Sequence, residues 1–166
     1  IKELMDLGLL GKIVGGEFNM GHGGGMKLEP TQWRFHKKKC PGGPLNMLGS
    51  HLIDASNYLF GRPVCVTGTV KNLHANSTAE DMSFVQLEYK GGEVVNLVNL
   101  YNSVSTEYIN VYGTEGALRF SRWPEPNLWF QPKDIDINCS DYQKLEYEEL
   151  DSAREVFKDF IRAILP

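Results

Sequence analysis

Cysteine is scarce in this chain: three residues, Cys40, Cys65 and Cys139, stand among 166. They are too few and too scattered for a disulfide framework or a Cys-x-x-Cys metal site, so the expectation is free thiols in a reducing, cytoplasmic setting and no metal. Long apolar runs are missing as well. No stretch approaches the roughly 20 residues that a membrane-crossing helix needs, and no membrane partner is expected. A surplus of positive charge is also lacking. The net charge is -4, and the only basic run, Lys37-Lys38-Lys39, is too short to make a nucleic-acid binder. Internal repeats and low-complexity segments are absent too.

What is present describes an ordinary globular chain. Its hydrophobic content of 42% and charged content of 23% allow one respectable core in one domain, residues 1–166. Beginning at Ile1 and stopping at Pro166 just after an amphipathic pattern, it is expected to be part of something longer. Gly21-His22-Gly23-Gly24-Gly25 has the glycine content of a dinucleotide phosphate loop, but it leads into Met26-Lys27-Leu28-Glu29-Pro30 and not into a helix. The fingerprint fails on context, and a flexible loop with a mobile His22 is expected.

The periodicities alternate between helix and strand. Ile1 to Leu7 has helical spacing, Ile13 to Met20 reads as a strand, and Gly21 to Pro41 as a long loop. Val64 to Val70, Ser83 to Tyr89 and Val94 to Tyr101 come next as strands, then Glu107 to Tyr112, Ala117 to Phe120 and Leu128 to Gln131. Val94 to Tyr101 is apolar on both faces, which predicts an outward apolar patch. From Ser152 the pattern turns helical again, opened by the capping box Ser152-x-x-Glu155. The sum is an α+β fold: a mainly antiparallel sheet of six or more strands with helices packed on one face, the other face free for oligomerisation.

The most informative stretch is Gly42-Gly43-Pro44-Leu45-Asn46-Met47-Leu48-Gly49-Ser50-His51-Leu52-Ile53-Asp54. Proline suits the first helical position, where its missing N–H costs nothing, and the helical pattern runs on to Phe60-Gly61. At 3.6 residues per turn Leu45, Leu48, Leu52, Ala55 and Leu59 make one stripe. Met47, His51, Asp54 and Tyr58 form the neighbouring ridge, which places His51 at the border of the buried face.

This segment resembles the C-terminal domain of the glucose-fructose oxidoreductase / inositol dehydrogenase / MocA-type superfamily, whose helix reads Gly-Gly-x-x-x-Asp-x-Gly-x-His-x-x-Asp. Gly42, Gly43, Gly49, His51 and Asp54 match. Trp33-Arg34 upstream, and Gly61-Arg62-Pro63, Glu80-Asp81 and Tyr112-Gly113-Thr114-Glu115-Gly116 downstream, fall in the family's order. The resemblance implies hydride transfer between a sugar, polyol or related compound and NAD or NADP, with the cofactor held by an N-terminal Rossmann domain that this sequence does not contain. It implies His51 as the catalytic acid/base, and Trp33, Arg34, Asn46, Met47 and Asp54 around the substrate. The outward apolar set on Val94 to Tyr101 separately predicts a homodimer or homotetramer through the open sheet face.

One position departs from the pattern, since the family's aspartate one turn before the histidine is Met47 here. A thioether neither orients an imidazole nor binds a hydroxyl as a carboxylate would. Asn46 points about 100° away on a regular helix and is a poor substitute. The alternative is a non-catalytic ligand sensor or protein-binding scaffold of the same fold. Bland roles also stand beside the site roles: Asp54 as a structural residue, Trp33 and Arg34 as loop anchors, and Lys37 to Lys39 as a solvated run.

Overall fold

The computed structural model describes residues 1–133 and 142–147, together with Lys158 and Arg162. In chain order it holds α1 (Lys2–Asp6), β1 (Ile13–Gly21), two short 3-10 turns (Gly23–Lys27 and Trp33–Phe35) and a π-helical turn (Leu45–Gly49) that runs directly into α2 (Ser50–Phe60). Seven further strands complete the described chain: β2 (Cys65–Lys71), β3 (Met82–Glu88), β4 (Val94–Leu100), β5 (Thr106–Gly113), β6 (Gly116–Ser121), β7 (Asn127–Pro132) and β8 (Gln143–Leu145). The predicted helix beyond Ser152 lies outside the described residues, apart from Lys158 and Arg162, which are helical.

All eight strands form one sheet in the order β2-β3-β4-β1-β5-β6-β7-β8. The expected α+β architecture is therefore present, with β8 an additional strand. One pairing is parallel, β1 with β4, and the others are antiparallel. That parallel pair matters for function, because it brings the C-terminal ends of β1 and β4 to the same edge of the molecule.

Alternation decides what each face carries. Phe18, Leu97, Val111 and Leu118 point inward and are fully buried, as are Leu10 and Val95, and α2 packs against β1 and β4 on this side. Each apolar side chain of this size contributes roughly 1.5–3 kcal/mol when removed from water. Val85, Leu87 and Tyr89 are buried on β3 and just beyond it, with Gln86 and Glu88 exposed between them, as their alternation predicts. The helix contributes Leu52, Ser56 and Leu59. Ser56 is a polar member that the apolar stripe did not disclose; its hydroxyl lies 2.5 Å from the Tyr89 hydroxyl, so both buried groups are satisfied.

The open face is mixed. Val94, Val98 and Leu100 do point to it, but they are half-buried. Around them the face is polar: Gln86 donates to Asn96 at 3.1 Å, Tyr112 donates to Glu17 at 2.6 Å, and Thr106 bonds Asn19. Neighbouring strands supply polar side chains that a single-strand pattern does not reveal, and Phe84, 48% exposed, adds an apolar one beside its strand partner Val98.

Candidate functional site

Residues just past the two parallel strands build a cavity. Beyond Gly21 and Leu100, which are paired, come His22 on one strand and Tyr101 on the other. The His22 N–H donates to the Leu100 carbonyl at 2.8 Å, and the Tyr101 N–H donates to the Asp81 carbonyl at 2.8 Å. The His22 ring lies 5.0 Å from the Tyr101 ring, and its Nδ1 accepts the Gly24 N–H at 2.9 Å, capping the first 3-10 turn. His22 is thus fixed, not mobile. The Gly25 N–H donates to the Tyr101 carbonyl at 2.8 Å, and a Cβ on Gly25 would meet Tyr101 Cβ at 2.5 Å. Only glycine lets the loop lie so close.

The second half of the loop is fastened elsewhere. The carbonyl of Phe35 accepts the N–H groups of Thr78 and Ala79 at 2.9 and 3.1 Å, and Lys37 N–H donates to Thr78 Oγ1 at 3.1 Å. Lys37 Nζ lies 2.6 Å from Glu80 Oε1, and the other oxygen of that carboxylate accepts the Gly42 N–H at 3.1 Å. Burial opposes ionisation of Glu80, but the Lys37 ammonium and the Gly42 N–H outweigh it and hold the carboxyl below its ordinary value. Gly43 then passes over Glu80 with φ +45°, where a Cβ would stand 2.0 Å from the Glu80 carbonyl oxygen. The double glycine is a crossing point for the backbone. Asp81 beside it accepts the N–H groups of Leu73, His74 and Ala75 at 2.9, 2.7 and 2.8 Å. Burial works against its charge too, yet these donors hold its pKa down.

The helix after the double glycine is not regular from its start. Leu45–Gly49 forms a π-helical turn before α2 begins. Widening the turn to i→i+5 pairing rotates the later residues about the helix axis. Leu45 packs toward the core, whereas Leu48, which α-helical spacing puts on the same stripe, turns with Met47 into the cavity. His51, within the regular α2, is exposed and not at the border of the buried face. Asn46 and Asp54 are exposed as well.

The cavity, of about 380 Å³, is lined by His22, Gly24, Gly25, Lys27, Leu28, Gln32, Arg34, Met47, Leu48 and Tyr101. Of the predicted site residues it therefore gathers Arg34 and Met47. Trp33 lines an adjoining hollow of about 320 Å³ together with Leu28, Thr31, Gln32, Arg34 and Lys39. His51, Asn46 and Asp54 line neither. Trp33 is 44% exposed, and loop anchoring falls to Phe35 instead. The Arg34 guanidinium lies over the Trp33 ring, 5.0 Å from its centroid. Burial pushes the Tyr101 phenol up to about 12, against the opposing pull of Arg34, so it enters the site as a neutral hydroxyl. Sequence reasoning missed Tyr101, Lys27 and Gln32 and discounted His22; the parallel β1–β4 pairing that assembles them has no local sequence signal.

The glycine loop also bears on cofactor binding. Gly23–Lys27 is a 3-10 turn pressed on Tyr101 and not a strand-to-helix phosphate loop.

Comparison with known proteins places this geometry. The sequence model of the GFO/IDH/MocA C-terminal domain matches residues 1–119. The curated scyllo-inositol 2-dehydrogenase (NADP(+)) IolW of Bacillus subtilis (strain 168) is 32% identical over 112 residues, which are 60% of this chain and 31% of that protein. A Desulfitobacterium hafniense DCB-2 protein described as an NADPH-dependent oxidoreductase has the same fold, with a TM-score of 0.87 at 24% identity over 98% of this chain and 50% of its own. The aldose-aldose oxidoreductase of Caulobacter crescentus, solved with glycerol, gives 0.73 at 22% identity over 90% of this chain and 44% of its own. The chain thus spans half or less of the length of each of these relatives. With the cavity's loop, its helix and both parallel strands all inside the matched residues, the chain belongs to the GFO/IDH/MocA C-terminal domain family.

Proposed function

We propose that this chain is the substrate-binding half of an NAD(P)-dependent oxidoreductase acting on a sugar, polyol or related compound. The observation that carries the reading is the donor-lined cavity at the ends of β1 and β4, into which the family's helix turns the motif position that Met47 occupies here. Its relatives include an inositol dehydrogenase that uses NADP and a sugar oxidoreductase solved with glycerol. A cavity of this size suits a monosaccharide, with Tyr101, Gln32 and Arg34 offering hydrogen bonds to hydroxyls and Trp33 an aromatic edge. The dinucleotide belongs to a separate Rossmann domain. His51 lines neither hollow, and its role as the acid/base at the reacting hydroxyl, for which imidazole is the suited side chain near neutral pH, rests on the family motif. Assembly into a dimer or tetramer uses the open sheet face, over which no helix of the described residues packs.

In the intact protein His51→Ala should lower kcat/KM at least ~10²-fold, as expected for a lost acid/base, with cofactor binding nearly unchanged. Near-normal turnover of His51→Gln would remove the histidine from the chemistry. Calorimetry of the 166-residue chain with NADH and NADPH should show no specific binding, and micromolar affinity would contradict the division of labour. Light scattering reads the assembly directly, and a monomer mass for the intact protein rules out the sheet-face contact. A ligand-sensing role is the second reading, favoured by Met47 itself, whose thioether cannot orient His51. A Met47→Asp variant that gains polyol turnover would make this position a specificity switch within an enzyme.

A further inference from the structure

We propose that the compound bound in this cavity carries an anionic group, a carboxylate or a phosphate, held by Arg34 and Lys27. The inference rests on the cavity being the substrate site and adds the charge class of what it takes.

The charge inside the cavity is one-sided. Lys27 and Arg34 line the cavity, Lys39 lines the adjoining hollow, and among the described residues no Asp or Glu lines either one. The remaining polar lining adds donors: Gln32 commits its Oε1 to the Glu29 N–H, which leaves its amide N–H groups to the cavity, and His22 commits Nδ1 to Gly24. Where the family's helix motif brings a carboxylate, Met47 brings a thioether. A neutral polyol needs acceptors as well as donors around its hydroxyls, and this lining is poor in acceptors.

Nor are these cations engaged by the fold. Four ion pairs join described residues, through Lys2, Lys37, Arg122 and Lys133, and none engages Lys27, Arg34 or Lys39. The Arg34 guanidinium instead lies over the Trp33 ring, a cation–π contact. A contact of that kind steadies a guanidinium while leaving its edge free, and the edge is the part that grips a carboxylate or phosphate with two parallel hydrogen bonds. Leu28, Gln32 and Arg34 line both hollows and form the partition between them. A ligand body resting against Met47, Leu48 and Tyr101 therefore directs its charged end to Arg34.

Calorimetry on the intact protein with D-glucose, D-glucuronate, D-glucose 6-phosphate and inorganic phosphate tests this. At least one anion should bind ~10-fold or more tightly than glucose, weakening as salt rises. Glucuronate against glucose 6-phosphate then separates carboxylate from phosphate. Arg34→Met should remove the preference and Arg34→Lys should keep part of it, with circular dichroism reporting that both variants fold. Glucose binding as tightly as every anion overturns the inference. So does an anion preference that survives Arg34→Met combined with Lys27→Met, or the failure of every anion to bind. Anion binding without NAD(P)-dependent turnover leaves this inference standing and removes the oxidoreductase reading. Turnover of a neutral polyol without anion preference does the reverse.

Discussion

Arg34 and Lys37 are three residues apart on one loop, and their surroundings are opposite. The Lys37 ammonium is paired with a buried carboxylate, Glu80, which also receives a backbone N–H from Gly42. Arg34 has an aromatic ring under it and, among the described residues, no carboxylate in the cavity it lines. Both are exposed cations in the sequence sense, yet one fastens the loop to the sheet and the other faces a cavity. The difference lies in what the segment Ala79 to Asp81 brings from a distant part of the chain. Where a carboxylate arrives, the charge becomes structural; where none does, it is left for a ligand.

The comparison can be broken first at Asp81. Replacing it by alanine leaves the N–H groups of Leu73, His74 and Ala75 without their acceptor in a part-buried setting. That should cost roughly 3 kcal/mol of stability. Arg34→Met should change stability by no more than ~0.5 kcal/mol, as for surface substitutions generally. Urea titration of both variants decides it, and equal losses would mean that the cavity cation is structural after all.

Acid should discriminate in the same direction. Glu80 and Asp81 both have folded-state pKa values held below the ordinary range. Their contribution is therefore full above the unfolded carboxylate values, near pH 4, and is lost as pH falls through the lowered folded values. Thermal melts of the wild type should show this decline on acidification. In Asp81→Asn the slope should be shallower, and an unchanged slope would assign the acid sensitivity to other carboxylates.

A smaller loss than at Asp81 is expected at Lys37. Its side chain is 64% exposed, so solvent screens the pair with Glu80 and Lys37→Met should cost about 0.5–1 kcal/mol. It should leave anion affinity at the cavity unchanged, unlike Arg34→Met. A Lys37→Met variant that weakens anion binding as much as Arg34→Met would erase the distinction between the two cations.

Much of the architecture was legible residue by residue. Alternation in Val85, Leu87 and Tyr89 located the inner face of β3, and Gly8 and Gly61 mark where α1 and α2 give way, because these signals are local and repeat with the period of the element. The helix motif from Gly42 to Asp54 was enough to indicate the family. The site was less legible. Met47 and Arg34 were named and do share a cavity, but Tyr101 and Lys27 were not foreseen, and His51 proved exposed.

The sequence by itself determined which segments become most of the strands and helices and that the inner faces of those strands are apolar. Each depends on a residue's own conformational range or on neighbours within a few positions. Only the tertiary structure decided three other things: that β1 and β4 run parallel and set His22 beside Tyr101, that a π-helical turn swings Met47 and Leu48 into the cavity, and that Glu80 neutralises Lys37 while no described ion pair neutralises Arg34. The physical reason is that hydrogen bonding, close packing and charge pairing act through space, between residues about forty to eighty positions apart in the chain, where no periodicity carries the information.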